Sequence, residues 1–166
     1  MTTVTEQAGG PVAAPAQNVP VEWIDYNGHM NVAYYSLAFD QALDYVFEHR
    51  LGIGESHTRK TRQGPYVLQS HMHYIDEFLA GDMFTINLRL IDYDKNKIHV
   101  FLEMKNEAGN IAATSEQLLI NVDLTTRRST PYPEQVMQQF ADMQVAHDRL
   151  PKPKQLATPI GIRKKG

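Results

Sequence analysis

The sequence predicts an α+β fold in which an antiparallel sheet curls around one long apolar helix. Two observations lead to this prediction. One long segment has helical period, and the four segments after it alternate in hydrophobicity and are joined by short turns. Short turns join antiparallel neighbours, so we expect an antiparallel meander rather than a doubly wound parallel sheet.

The first part of the chain, residues 1–17, is rich in alanine, glycine, proline and threonine. Such a segment buries too little apolar surface to offset the entropy lost on ordering, so it is predicted to be a disordered arm. The folded domain is expected over residues 18–150. It begins with NVPVEWI, a short strand candidate in which Val19, Val21 and Trp23 alternate with polar or turn-forming residues.

The next segment, NVAYYSLAFDQALDYVFEHRLGIG, is predicted to be the long helix. One apolar stripe runs along it at spacings of three and four residues, formed by Tyr35, Phe39, Leu43 and Val46. Asn31 is the expected N-cap, because its side-chain oxygen can accept an unpaired amide, and Gly52 is the expected end. The alternative, a hairpin turn at Asn27-Gly28, is rejected because the residues that follow have helical period.

Four strands are predicted after a basic loop, SHTRKTRQG. They are YVLQSHMHYIDEF, MFTINLRLID, KIHVFLEMK and IAATSEQLLINVD. A second helix, EQVMQQFADMQVAH, follows Pro131 and Pro133, and residues 151–166 are predicted to be a flexible basic tail. Apolar residues such as Ile91 and Phe101 fall on the second face of the sheet, which predicts a homo-oligomer, either a homodimer or a homotetramer.

The composition excludes several classes of protein. The formal net charge of -3 argues against a nucleic-acid partner. There is no cysteine, which removes disulfides, thiolate metal sites and a cysteine nucleophile and suits a reducing compartment. The sequence contains no apolar run of membrane-spanning length, and its start lacks the pattern of a secretory signal, so a cytoplasmic protein is expected.

A polar cluster, WIDYNGHMN, stands directly before the long helix. Its hydrogen-bonding groups are one carboxylate, two carboxamides and an imidazole. An Asp-Asn-Gly run before a helix is typical of turn and capping chemistry, so the residues alone leave a purely structural interpretation open.

The run D-Y-N-G-H-M-N-V-A-Y, from Asp25 to Tyr34, resembles the hotdog-fold acyl-CoA thioesterases of the 4-hydroxybenzoyl-CoA thioesterase group. YIDEFLAGD and the strand end Val122-Asp123 support this resemblance, which covers residues 18 to 147. It implies a hotdog fold and hydrolysis of an acyl-CoA thioester, with CoA as part of the substrate and product rather than a separate cofactor.

Within that group, WIDYNGHM together with ATSEQLLINVD and AHDRLP is similar to the thioesterases that accompany carnitine dehydrogenase. The resemblance implies betainyl-CoA as substrate and a role in carnitine degradation. Hydrolysis of another short-chain or aromatic acyl-CoA, and a non-catalytic acyl-CoA-binding protein, remain alternatives. Hotdog hydratases use a differently spaced histidine motif that is not found in this sequence.

The resemblance also implies roles for the residues around the turn. Asp25 would be the general base or the nucleophile, assisted by Asn27 and His29. The first amides of the helix would stabilise the oxyanion, with the family's donor falling at Val32. Substrate-binding roles are expected for Asn31 and Tyr34.

Further substrate contacts are expected from residues on the strands. Glu116 shares a strand face with Leu118 and Ile120, and a carboxylate on an apolar face needs a partner, such as a trimethylammonium group. The candidate rings for cation–π contact are Tyr26, Tyr34, Tyr35 and Tyr66. His71 and His73 point to one face and could ligate zinc, but no third ligand is evident, so no metal is expected and His71 is assigned to substrate binding.

Two basic clusters could meet the phosphates of CoA. Arg59, Lys60 and Arg62 lie in one segment, while Arg127 and Arg128 follow the last long strand. The first cluster is the predicted CoA-binding site, and a solvated basic loop is the alternative for each.

Overall fold

The structure is a computed structural model, and it describes residues 9–164. Within this range the strands are β1 Val12–Ala13, β2 Gln17–Asn18, β3 Gln63–Tyr74, β4 Met83–Tyr93, β5 Lys97–Asn106, β6 Ile111–Asp123 and β7 Arg128–Ser129. The helices are α1 Val32–Val46, α2 Glu55–Thr61 and α3 Glu134–His147. None of these helices is long and apolar enough to cross a membrane.

The strands form one antiparallel sheet in the order β1-β4-β5-β6-β3, with β2 also paired to β4 and β7 to β6. The predicted meander is confirmed for β4, β5 and β6. It is wrong for β3, which pairs with β6 rather than with β4. The reason lies in residues 75–82, which carry the chain to the opposite edge of the sheet instead of making a tight turn. Phe78, in the middle of this connection, is buried in the core.

The long helix packs on one face of the sheet, as predicted. Ala38 and Phe39 are fully buried, and the alternating apolar residues of β4 and β5 form the other side of the core. The helical pattern and the strand patterns thus point to a common interior, and the predicted α+β architecture with a C-terminal helix is confirmed. A π-helical turn, Phe47–Leu51, extends α1, and Gly52 ends it at a φ of 65°.

The segment before α1 differs from the prediction. Val21–Trp23 forms a 3-10 helix where a strand was expected. Residues 12–18, which include the last part of the predicted disordered arm, lie along β4 and form β1 and β2, because the open backbone groups of this edge strand accept them as partners. The rest of the predicted arm, residues 1–8, lies outside the described range.

The predicted basic loop contains a helix, α2. Its start is held by α1, because the Glu48 carboxylate accepts from the backbone amide of Ser56 at 3.0 Å and also from the Ser56 hydroxyl. This acceptor supplies the N-terminal partner that a helix of seven residues lacks in its own sequence. The loop prediction was wrong because the stabilising contact comes from another element.

The C-terminal segment lies against the face of the sheet opposite α1. Pro153 is buried, and the amide of Ala157 donates to Glu116 Oε2 at 2.8 Å. Thr158 Oγ1 and His73 Nε2 are 3.0 Å apart. The predicted flexible tail is therefore corrected for residues 153–158. Phe101 is fully buried within one chain, so it no longer argues for a partner subunit.

His147 connects α3 to both β4 and the N-terminal segment, and it makes stability depend on pH. Its Nδ1 accepts from the Leu90 amide at 2.8 Å and its Nε2 is 3.1 Å from the Gly10 carbonyl oxygen, which together require the neutral ring. Burial is the largest cause lowering the pKa of His147 from its ordinary value of 6.5. The stability it contributes is therefore fully present above pH 6.5 and is lost as pH falls towards the folded-state value.

We expect the wild-type free energy of unfolding to decrease between pH 7.5 and pH 5 more steeply than that of His147→Gln, whose side chain cannot bind a proton. Urea unfolding at both pH values measures the difference. His73, whose pKa is also lowered by burial, titrates in both proteins and does not affect the comparison. Parallel pH profiles for the two proteins would contradict this account of His147.

Candidate active site

A tight turn precedes α1 and brings its polar residues together. The Gly28 amide donates to the Asp25 carbonyl at 3.0 Å, and Ile24 is bridged to Met30 across the turn. Gly28 has a φ of 83°, which glycine adopts without the strain of a side chain. The turn rejected from the sequence therefore exists, and it is followed at once by the helix. The helical period of the residues after Gly28 was therefore not a valid reason to reject a turn at Asn27-Gly28.

The Asp25 carboxylate is held by this turn. Its Oδ1 accepts from the backbone amide of Asn27 at 2.7 Å, and its Oδ2 accepts from Asn31 Nδ2 at 3.3 Å. The side chain is only 13% exposed. Both oxygens are thus oriented by donors from within the turn, as a group that acts on a bound substrate requires.

His29 stands between two carboxylates. Its Nε2 is 3.9 Å from Asp25 Oδ2, and its Nδ1 is 3.2 Å from Glu77 Oε2. Glu77 can therefore accept from Nδ1–H and leave Nε2 facing Asp25. Sequence reasoning gave Glu77 no role, although it lies in the YIDEFLAGD stretch that supported the resemblance.

The start of α1 provides a free donor beside Asp25. Asn31 is the N-cap, as predicted, and its Oδ1 accepts from the Ala33 amide at 3.0 Å. Its carbonyl oxygen accepts from the Tyr34 amide. Val32 is the first helical residue, and within residues 9–164 its amide is hydrogen-bonded to no acceptor. Such an amide, at the positive end of the helix dipole, can donate to a developing oxyanion.

Asn31 combines two contacts that substitutions can separate. Asn31→Ala removes both the cap and the bond to Asp25, so we expect it to lower the free energy of unfolding by about 1 kcal/mol. Asn31→Ser keeps a cap oxygen and loses only the bond to Asp25, so its stability should stay close to wild type. Urea unfolding of both variants checks this, and equal loss of stability in the two would contradict the capping role.

An open cleft of about 540 Å³ lies beside the turn. Val32, the first residue of α1, lines this cleft. The polar and aromatic residues of the lining are His29, Tyr35, Tyr74, Asp76 and Glu77. Val32 brings the free amide to the cleft, and His29, whose Nε2 is 3.9 Å from Asp25 Oδ2, lies between the cleft and the carboxylate. The cleft is therefore the place where an acyl group could meet both.

The four candidate rings have different positions. Tyr35 lines the cleft, and its ring meets that of Tyr74 edge-on at a centroid distance of 5.3 Å. Tyr34 is stacked on Trp23 at 5.2 Å, and Tyr26 is 96% exposed and does not line the cleft. Tyr66 accepts from Arg127 near the start of β3, outside the cleft. The structure thus brings only Tyr35 of these rings to the cleft, and adds Tyr74, which sequence reasoning missed.

Glu116 and His71 lie away from the cleft in this chain. Gln117 contributes to a cavity beside α1, so its neighbour Glu116 points to the opposite face of the sheet. There Glu116 Oε1 is 2.8 Å from His99 Nε2, and a separate cavity of about 510 Å³ includes both residues and His71. The structure does not bring these predicted substrate-binding residues together with Asp25.

The predicted CoA-binding residues lie at the other end of α1, on and just after α2. Arg59 and Arg62 line a cleft of about 710 Å³ that also contains acidic residues of α1. Arg59 pairs with Glu55, and Lys60 is exposed. One of the acidic residues, Asp44, has a raised pKa, caused by burial and then by Asp40 and Glu55. This cleft therefore has mixed charge rather than a uniformly positive surface.

Comparison with known proteins places the chain among thioesterases. The family described as the thioesterase-like superfamily matches residues 19–140. The chain is 29% identical to the betainyl-CoA thioesterase of Pseudomonas aeruginosa PAO1 over 142 residues, covering 85% of this chain and 89% of that protein.

Two further proteins extend the comparison. An L-carnitine dehydrogenase/betainyl-CoA thioesterase of Rhizobium meliloti is 27% identical over 95% of this chain, which spans 32% of that longer protein. A solved structure of a Staphylococcus aureus protein in complex with CoA is 30% identical, with a TM-score of 0.85, covering 93% of this chain and 96% of that chain.

Proposed function

The chain belongs to the thioesterase-like superfamily, and from this premise we propose that it hydrolyses betainyl-CoA to glycine betaine and CoA at the turn before α1. That it is an acyl-CoA thioester hydrolase follows from the family and from the relatives that match it. The choice of acyl group rests on the betainyl-CoA thioesterases among those relatives, at 27% and 29% identity. The relatives' names suggest a place in carnitine degradation.

One observation carries the assignment of the site. The oriented carboxylate of Asp25 and the free amide of Val32 lie at the same turn, beside a cleft that Val32 and His29 line. Thioester hydrolysis needs a base or nucleophile and a donor for the oxyanion, and these two groups supply them.

Asp25 has two chemical routes to the same products. As a general base it takes a proton from water, whose oxygen attacks the thioester carbonyl. As a nucleophile it attacks the carbonyl itself, and water then hydrolyses the mixed anhydride and regenerates the carboxylate. In both routes the C–S bond breaks and one water is consumed, giving the carboxylic acid and the CoA thiol.

His29 assists this reaction in the proposed mechanism. Its Nε2 faces Asp25, so it can accept the proton that the attacking water loses and release it to the leaving thiolate. Asn31 orients Asp25 through its side-chain amide. Asn27 contributes its backbone amide to the same carboxylate, which is a positioning role.

The proposed CoA phosphate ligands remain Arg59, Lys60 and Arg62. They lie beyond the far end of α1, so they would hold the nucleotide end of CoA while the thioester lies at the turn. Guanidinium and ammonium groups are the usual phosphate partners. Replacing Lys60 and Arg62 with alanine should then raise KM for acyl-CoA with little change in kcat.

We also propose a homo-oligomer in which a second copy of the chain covers the edge of β3. This strand pairs only with β6 among the described residues, and its Val67 and Leu68 side chains are about half exposed. An open apolar edge strand is a template for pairing with another chain. Light scattering should give a mass above that of one chain, and Val67→Lys with Leu68→Lys should lower it.

Free CoA release from a panel of thioesters tests the proposed substrate. A thiol-reactive dye would follow betainyl-, acetyl-, longer-chain and aromatic acyl-CoA at equal concentrations. Turnover greatest with betainyl-CoA supports the proposal. Turnover of another short-chain or aromatic ester in its place would keep the enzyme class and reject the substrate. CoA esters that bind without turnover would indicate an acyl-CoA-binding protein instead.

A further inference from the structure

The cleft beside the catalytic turn has an aromatic wall. The Tyr35 ring is buried, while the Tyr74 ring is 49% exposed and meets Tyr35 edge-on. The hydroxyl of Tyr35 donates to the carbonyl oxygen of Asp76 at 3.3 Å, which fixes its ring against the segment after β3. The buried Tyr35 ring thus supports the Tyr74 ring, which is accessible from the cleft. The face of a tyrosine ring attracts cations.

The same wall carries negative charge. Asp76 and Glu77 follow Tyr74 closely in the chain, and none of the described residues that line the cleft is lysine or arginine. Burial and then these two carboxylates and Tyr74 raise the pKa of Tyr35, as expected where the local potential is negative. Besides the two carboxylates and the two tyrosines, His29 is the one ionisable side chain among the described residues that line the cleft, and its Nδ1 is already paired with Glu77.

The wall is held in place by backbone contacts. The amides of Ile75 and Asp76 both donate to the Ala112 carbonyl, at 2.8 and 3.0 Å. Asp76 Oδ1 accepts from the Glu77 amide at 2.9 Å. The position of the carboxylates is therefore set before any ligand binds, which reduces the entropy that binding must offset.

We infer that Tyr74, Asp76 and Glu77 form the subsite for the quaternary ammonium group of the acyl chain, an inference that rests on the proposed function. The carbonyl would lie at the Val32 amide, on the same cleft. In a betainyl group a single methylene separates the carbonyl from the ammonium, so the cation must lie beside the carbonyl. Glu116 does not serve here, because its oxygens are occupied by His99 and Ala157 on the other face of the sheet.

A pair of thioesters isolates the recognition of charge. Betainyl-CoA and 3,3-dimethylbutanoyl-CoA have the same shape, but the second carries carbon in place of the charged nitrogen. The cationic ester is intrinsically more reactive, so the measure of recognition by charge is the kcat/KM ratio of a variant divided by that of wild type. The intrinsic difference, and any loss that affects both esters, cancels in this comparison. Wild type should favour the cationic ester by tenfold or more, as expected for a cation on an aromatic ring beside carboxylates, where the effect is about tenfold.

Four variants test which residues produce that ratio. Tyr74→Leu and Glu77→Gln should each lower it about five- to tenfold, and Gln still offers an oxygen to His29. Tyr74→Phe keeps the ring and should keep the ratio. Glu134→Gln removes an exposed carboxylate at the start of α3, outside the cleft, and should leave the ratio and the rate unchanged.

The outcomes separate the inference from the function on which it rests. A wild-type enzyme that hydrolyses both esters equally overturns the subsite and leaves the thioesterase. A wild-type preference that survives both Tyr74→Leu and Glu77→Gln also overturns it, because the cation is then recognised elsewhere. Failure to hydrolyse either ester rejects the proposed function, and the inference with it.

Discussion

Replacing Asp25 with asparagine is expected to lower kcat/KM for thioester hydrolysis by a factor of about 10²–10⁴, the usual contribution of a general base. An asparagine oxygen can still accept from the Asn27 amide, so the turn should survive. Its amide can neither take a proton from water nor attack the carbonyl. Dye-detected CoA release measures the rate, and thermal unfolding confirms that the variant is folded.

Asp94 offers a matched control for this experiment. Its Oδ1 accepts from the Asn96 amide at 2.7 Å, two residues on, as Asp25 does from Asn27. Asp94 lies in the β4–β5 turn, away from the cleft, so Asp94→Asn should keep wild-type activity. Activity of Asp25→Asn within about threefold of wild type would reject the catalytic role of the carboxylate, since the expected loss is far larger.

Replacing Phe39 with alanine is expected to lower the free energy of unfolding by about 3–5 kcal/mol. Phe39 is fully buried on the face of α1 that packs on the sheet, and its removal leaves a cavity that close-packed neighbours fill only in part. Gln41, an exposed residue of the same helix, provides the control, and Gln41→Ala should change stability by less than about 0.5 kcal/mol. Urea unfolding gives both values.

A loss below about 1 kcal/mol for Phe39→Ala would contradict the packing of α1 against the sheet, because full burial of a phenyl ring implies more. Activity should be retained where the variant remains folded, since Phe39 lies away from the cleft.

Much of the fold could be predicted from hydrophobic period. The strand IAATSEQLLINVD and the helix α3 match their predicted bounds, and α1 together with its π-helical turn ends at the predicted Gly52. The hydrophobic period shows which residues of a strand share a face, but it does not show which strands are neighbours in the sheet. The pairing of β3 with β6 was therefore missed. The helix α2 was missed because its cap, Glu48, comes from another element.

The candidate site divides in the same way. One motif of eight residues revealed four of the site residues together, because they lie close in sequence: Asp25, His29, Asn31 and Val32. Tyr74, Asp76 and Glu77 reach the cleft only because the connection after β3 crosses to the turn, where the Met30 amide donates to the Phe78 carbonyl at 2.8 Å. The alternation on β6 correctly placed Glu116 on one strand face with Leu118 and Ile120. The hydrophobic period of a strand does not show which of its two faces the helix covers.

We propose that this chain cleaves a cationic acyl-CoA with Asp25 as the acting carboxylate. The most direct measurement is the yield of products when wild type and Asp25→Asn are each incubated with betainyl-CoA, with CoA followed by thiol assay and glycine betaine by mass spectrometry. We expect equimolar CoA and glycine betaine from wild type and almost none from Asp25→Asn. Equal product from the two proteins, or none from wild type, would contradict it.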